Sequence, residues 1–405
     1  MKKIMLARQP IFDAQKKTFA YELLYRGDMA GVSADAKTAT VLSNTLNQFG
    51  MDTVTDGSLI FVNLSKQFLM SDFPELLPAD RTVLEVLEDV PADDDVIAAM
   101  QYWKDKGFTI ALDDFISVNS QHIHLLPYSD IVKVDILDYE GELGALVQEL
   151  RKKPVKLLAE KVETYEQYEL CRELGFDYYQ GYFFSQPALM VDHHALDSNK
   201  TQLLQLLSRT MEAESPKELE SDIAHDLALS YKLLCYINSA AVGLRTQIDS
   251  IGHALNLMGL DNIRIWVAML SMASLSRDKP DALLALSFMR GRFLELLSKA
   301  LHEDQQSNDY FILGMFSVLD ALLDQDMEHA TSLISLPDLV REGLLDEDSA
   351  AAKKLKLIRS LEKAEWTALA ELLRSVGIDD EQMASLYAES LTWADERMAL
   401  MNTME

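Results

Sequence analysis

Seven short runs rich in β-branched and aromatic residues punctuate the first half of the chain, at residues 19–26, 59–64, 82–88, 108–115, 131–136, 155–162 and 177–184. Each reads as a strand. Between them lie helix-patterned stretches at 94–107, 142–152 and 165–174, the last followed by Gly175, where a helix ends in a left-handed turn. Strands alternating with helices predict βαβ units and a mainly parallel sheet, whose strands are apolar on both faces. From about Leu196 the period becomes helical. Ser215-Pro216-Lys217-Glu218 predicts a capped helix start, and 223–238, 248–257, 262–275, 283–301, 311–323 and 381–401 follow at helical spacing. The pattern predicts an α/β domain over 1–190, a polar linker over 191–200 and an all-α domain with a helical extension over 201–405.

Polar residues interrupt the strand runs at a regular interval. Glu22, Asn63, Glu85, Asp113, Lys133, Glu160 and Gln180 each fall inside or at the end of a different run. A parallel barrel gathers the ends of its strands on one face, and a carboxylate buried there is costly unless it is paired or binds a cation. Acids and amides converging in this way make an all-oxygen donor set suited to Mg²⁺, Mn²⁺ or Ca²⁺. The neighbours Asp113 and Asp114 could bridge or flank two ions, an arrangement that serves in-line hydrolysis of phosphodiesters. One such acid alone reads as an exposed or salt-bridged strand end. Seven strands with one polar residue each favour a site.

Composition narrows the classes further. The 405 residues include 37 basic and 65 acidic ones, a net charge of −28, which argues against a general nucleic-acid binder. An anionic ligand would therefore need a local cation or a bound metal. Cys171 and Cys235 are far apart and outside any CxxC, so neither a zinc site nor a disulfide framework is encoded. The apolar stretch 266–275 is about half of a membrane span, and Met1-Lys2-Lys3 precedes too short an apolar run for a secretory leader. A cytoplasmic protein is expected.

The motifs then point to a family. Ala7-Arg8-Gln9-Pro10-Ile11-Phe12-Asp13 and Tyr21-Glu22-Leu23-Leu24-Tyr25-Arg26 resemble the opening of an EAL domain. Val62-Asn63-Leu64-Ser65, Glu85-Val86-Leu87-Glu88, Asp113-Asp114-Phe115, Lys133-Val134-Asp135, Glu160-Lys161-Val162-Glu163 and Gln180-Gly181-Tyr182 match its later motifs in order. The resemblance covers roughly residues 4–188 and implies a modified TIM-like (β/α) barrel that binds or hydrolyses cyclic di-GMP. It also implies that Glu22, Asn63, Glu85 and Asp113 ligate a first Mg²⁺ or Mn²⁺. Asp113 would bridge to a second ion served by Asp114, with Glu160 nearby. Lys133 would hold the attacking water, Gln180 and Glu163 would support the site, and Arg26 would contact a ligand phosphate. Several departures stand beside these matches. Leu23 replaces the alanine of the signature tripeptide, and Ile116 and Lys161 stand at glycine positions. The segment 117–123 lacks the glycine-and-serine loop that couples dimerisation to ligand binding. Lys161 places a cation beside Glu160, so the second ion is expected to bind weakly.

In the helical half, the stretch from Ile223 to Ser239, Ile248-Asp249-Ser250-Ile251-Gly252-His253-Ala254 and Leu257-Met258-Gly259 resemble an HDOD domain, a helical module of signalling proteins. That resemblance covers about 200–335 and implies a face that recruits protein partners. His225-Asp226 is out of register with the metal dyad of HD hydrolases, which would fall at Ser317 and Val318, so a capping or surface role is preferred. Met258, Met269, Met272, Met289 and Met315 are expected in the core, as are Trp266, Trp366 and Trp393. The whole reads as a cyclic di-GMP phosphodiesterase governing motility and biofilm formation. Its alternative is a catalytically silent adaptor.

Overall fold

The computed structural model describes residues 6–25, 57–115, 121–137, 139, 142–186, 198–238 and 248–402. Eight strands close into a barrel in sequence order. They are β1 (Leu6–Asp13), β2 (Thr18–Tyr25), β3 (Leu59–Leu64), β4 (Thr82–Val86), β5 (Thr109–Leu112), β6 (Ile131–Asp135), β7 (Lys156–Glu160) and β8 (Tyr178–Gln180). From β2 to β8 neighbouring strands are parallel, whereas β1 runs antiparallel to both its neighbours. The strand pattern of the sequence locates β2 to β8 and misses β1, where Arg8, Gln9 and Pro10 break the apolar run.

The barrel's lower interior is an apolar plug. Ile11, Ala20, Phe61, Val83, Ala111, Ile131 and Leu158 contribute one buried residue from each of β1 to β7, and Tyr178 of β8 packs against them. Such a layered, side-chain-filled interior is a packed core rather than a pore. The connecting helices are short: α1 (Lys66–Leu69), α2 (Asp94–Asp105), α3 (Leu143–Leu150) and α4 (Tyr165–Leu174). Thr164 and Gln167 form a reciprocal capping box at the head of α4, and Gly175 ends it at φ 92°. Between β5 and β6 the described connection holds only 3-10 turns. This trimming is how eight strands fit into fewer than 190 residues.

The rest is helical among the described residues: α5 (Ser198–Glu212), α6 (Pro216–His225), α7 (Leu227–Ile237), α8 (Ile251–Met258), α9 (Leu260–Leu275), α10 (Asp281–Ala300), α11 (Ser307–Phe316), α12 (Leu319–Leu323), α13 (Met327–Ser332), α14 (Asp338–Leu345), α15 (Ala350–Glu362), α16 (Trp366–Val376) and α17 (Asp380–Asn402). The single helix expected over 223–238 breaks at Asp226, whose carboxylate caps α7 by accepting from the Leu229 N–H. At the start of α6 the Ser215 hydroxyl donates to the Glu218 carboxylate instead of accepting from the backbone. The five singled-out methionines and Trp266 are buried as expected, while Trp366 and Trp393 are only half-buried.

Two compact units result, and packing divides them differently from secondary structure. The unit built on the barrel also takes in residues 280–282 and 359–388, so part of the all-helical stretch 201–405 belongs to the barrel's unit. Hydrophobic periodicity reports that these residues are helical and carry an apolar face, not what that face meets.

Candidate active site

Side chains two apart on a strand share a face. Above each plug residue of β2 to β8, two positions on, the sequence places Glu22, Asn63, Glu85, Asp113, Lys133, Glu160 and Gln180. All seven therefore project into the barrel at the end where the parallel strands finish. Because β1 is reversed, its counterpart lies two positions before Ile11, at Gln9, which pairs in register with Glu22. Gln9 was not foreseen from the sequence, since the signal depends on knowing that β1 is a strand and runs backwards.

Lys133 stands at the centre, almost fully buried. Its ammonium contacts Glu160 at 2.8 Å, Asp113 at 3.1 Å and Glu22 at 3.3 Å, and it also pairs closely with Glu85. Glu22 in turn accepts from Asn63 Nδ2 at 2.9 Å and Gln180 Nε2 at 2.6 Å, and Gln180 Nε2 also reaches Gln9 Oε1 at 3.0 Å. Burial alone would strip the proton from Lys133, but the surrounding carboxylates hold its pKa well above the usual ammonium range. Among the acids, burial pushes Glu85 well above the carboxyl range, and Glu22, Asp113 and Glu160 add to the effect against the opposing pull of Lys133. Burial likewise raises Glu160 to about 8 despite Lys133. Asp113 is only partly buried, and although desolvation pushes its pKa up, Lys133 and a hydrogen bond with Glu85 bring it below its ordinary value.

One ammonium cannot balance four carboxylates. Among the described residues, Glu85 Oε2, Glu160 Oε2 and Gln180 Oε1 are buried oxygens with no hydrogen-bond partner. An all-oxygen set with excess negative charge and open lone pairs fits a hard divalent cation. Glu22, Asn63, Glu85 and Asp113 could hold such an ion. A second group lies at the rim: oxygens of Glu88, Asp113 and Asp114 fall within 4.8 Å of one another. Glu88 belongs to the Glu-Val-Leu-Glu motif, but its exposed position past the end of β4 is not legible in the strand pattern. Asp114 sits at φ 42°, half-buried, and burial followed by the charge of Asp113 raises its pKa.

The remaining candidates lie elsewhere. Lys161 adopts φ 54°, the left-handed conformation its glycine-like position requires. Its half-exposed ammonium pairs with buried Asp135 and also pulls the Asp114 pKa down. The charge thus acts on Asp114. Glu163 is exposed, and its backbone N–H donates to Gln167 at the head of α4, outside the buried cluster. Arg26, Ile116 and residues 117–120 lie outside the described residues. In the helical unit His225 is exposed at the end of α6, with Nδ1 2.6 Å from the Ser221 carbonyl. Ser317 donates to the Gly314 carbonyl and accepts from Arg290, so hydroxyl and guanidinium chemistry fills the position where a metal dyad would fall.

A closed barrel with this polar layer, followed by a helical module, is the arrangement of an EAL–HDOD protein, and the chain belongs to that family. Residues 2–187 match the EAL domain and residues 198–330 the HDOD domain. Among named relatives, the cyclic di-GMP phosphodiesterase CdgJ of Vibrio cholerae is 32% identical over 96% of this chain and 92% of its own. The uncharacterised protein YuxH of Bacillus subtilis is 32% identical over 98% of this chain and 99% of its own. The EAL-domain protein YkuI of Bacillus subtilis, solved with cyclic di-GMP and calcium, is 22% identical over 63% of this chain and 73% of its own, with a TM-score of 0.39. No helix among the described residues is long and apolar enough to cross a membrane.

Proposed function

We propose that this chain hydrolyses cyclic di-GMP to linear pGpG with the help of Mg²⁺ or Mn²⁺, and that it acts in the cytoplasm on motility and biofilm formation. The observation that carries this reading is the convergence of Glu22, Asn63, Glu85, Asp113, Lys133, Glu160 and Gln180 above one apolar plug. When bound, divalent cations neutralise the phosphodiester and make water a stronger acid at neutral pH. The protein's own groups do the rest. Glu22, held by Asn63, Gln180 and Lys133, and Glu85, held by Lys133, present fixed oxygens to the cation. Lys133 keeps its proton and orients the attacking water, with Glu160 beside it. Attack at phosphorus forms the new P–O bond and breaks the bond to one ribose 3′ oxygen, which takes up the proton lost by the water and leaves as a hydroxyl, so the ring opens. Arg26 is assigned to a phosphate of the ligand, Asp114 to a second and weaker ion, and Glu163 to the support of the strand ends. The HDOD module serves protein partners.

Incubating the purified chain with cyclic di-GMP and Mn²⁺ tests this reading, with pGpG as the expected product. Nucleotide binding without any pGpG would favour a silent adaptor instead. The pairing of Lys161 with Asp135, next to Asp114, is the feature that supports that second reading.

A further inference from the structure

The antiparallel strand β1 leaves a gap in the barrel wall. Strand β8 pairs with it only over Ile11–Asp13, and Gln180, the last residue of β8, lies opposite Ile11. The stretch Leu6–Pro10 therefore runs beyond β8 at the end that carries the site, with an edge that no strand among the described residues covers. Such an edge needs another partner. Residues 359–388, which pack in the barrel's unit, provide it. Tyr387 is buried, and its phenol oxygen takes the backbone N–H of Arg8. Burial lifts that phenol to about 12, so it stays neutral. The Arg8 guanidinium lies 4.5 Å over the ring of Tyr21, the residue before Glu22.

The other side of the gap is fastened to the same segment. Tyr182, two residues past Gln180, donates to the Glu362 carbonyl at 2.6 Å, and the Lys363 ammonium sits 5.5 Å over its ring. Between Gln180 and Tyr182, Gly181 has φ 147°, and a Cβ there would meet the Val162 carbonyl oxygen at 2.1 Å. The link is too tight to absorb a displacement of Tyr182, so the position of Tyr182 fixes that of Gln180. Arg8 precedes Gln9, and Gln9 and Glu22 are the two acceptors of the Gln180 amide.

We propose that residues 359–388 complete the catalytic end of the barrel, with Tyr387 and Tyr182 as positioning residues that hold the Gln9–Gln180–Glu22 group in place. This deepens the function proposed above and rests on it only for its metal readout. The test uses the full chain carrying Tyr387→Phe or Tyr182→Phe, each of which removes one oxygen and keeps the ring. Mn²⁺ affinity is measured by calorimetry without nucleotide, hydrogen exchange by mass spectrometry, and thermal stability alongside. Outer groups that orient metal ligands typically affect affinity tenfold or more, and for these more distant groups a loss of about three- to tenfold is expected. Faster exchange should be confined to residues 6–12 and 178–182. Unchanged Mn²⁺ affinity and exchange in both variants would overturn the proposal, and so would a lower melting temperature with unchanged affinity. If the wild-type chain binds no Mn²⁺, the cation reading falls. The exchange pattern then decides alone, local loosening supporting the positioning role and its absence refuting it.

Discussion

Both units of this protein bury lysines, but in different company. In the helical unit the Lys354 ammonium meets one carboxylate, Glu303, and the hydroxyl of Tyr310 at 2.6 Å. Glu303 keeps 35% of its side chain exposed, so water shares the charge. At the barrel end Lys133 meets Glu22, Glu85, Asp113 and Glu160, all inside the barrel. The first arrangement is balanced and ties two elements together. The second leaves surplus negative charge in a medium that tolerates it poorly, which serves stability badly and cation binding well. Imbalance of buried charge, more than its presence, separates the site from the scaffold.

The comparison breaks most directly at its two lysines. Lys133→Met leaves the carboxylates with no cation and should cost about 3–5 kcal/mol in metal-free protein, as loss of one partner from a buried pair typically does. Lys354→Met should cost clearly less, because Glu303 can turn to water. Urea denaturation of both variants in chelator checks the order, and equal losses would erase the distinction drawn between the units. Next, Glu22→Ala removes an oxygen that Asn63, Gln180 and Lys133 all hold in place, so pGpG formation should fall at least about tenfold, or roughly 1.4 kcal/mol in the barrier. Unchanged turnover would remove Glu22 from the site.

A smaller effect should appear with pH. Glu160 titrates near 8 in the folded chain and at the ordinary 4.5 once unfolded, and Glu85 is displaced in the same direction. The folded state thus holds protons that the unfolded chain releases, and metal-free stability should fall as pH rises from about 5 to about 8. Saturating Mn²⁺, which favours the ionised carboxylates, should flatten or reverse that slope. Denaturation midpoints across this window, with and without Mn²⁺, check the sign. A metal-free midpoint that climbs with pH would contradict it. The smallest expected change belongs to Lys161→Gly. Removing a half-exposed charge near Asp114 should lower the half-saturating Mn²⁺ concentration a few-fold, and glycine suits the left-handed backbone there. Superimposable metal titrations would make Lys161 a solvated bystander.

The polar layer was legible in the sequence because period two is rigid. A charged residue inside an apolar strand must share the inward face with the core residue two positions away, as Glu85 does with Val83 and Lys133 with Ile131. Where the period fails, so does the reading. Strand β1 carries Arg8 and Gln9 among its apolar residues and faces α-helical segments as well as strands, so neither it nor Gln9 stood out. The break at Asp226 was hidden because 223–238 keeps one helical period on both sides of it, while the cap depends on a single carboxylate. That residues 359–388 pack with the barrel was also out of reach. A helical stripe shows that something is covered, not what.

The reversed first strand has a consequence for the order of synthesis. On the ribosome β1 and β2 emerge before the other strands of the barrel and can form a hairpin through the turn at residues 14–17. The seam between β1 and β8 cannot form until Gln180 has been made, and Tyr387 follows some 200 residues later. Non-local pairings of this kind are slow, and a strand edge that waits for them is open to wrong partners. Pro10, which offers no N–H on that edge, and the charge of Arg8 protect the nascent barrel during the wait.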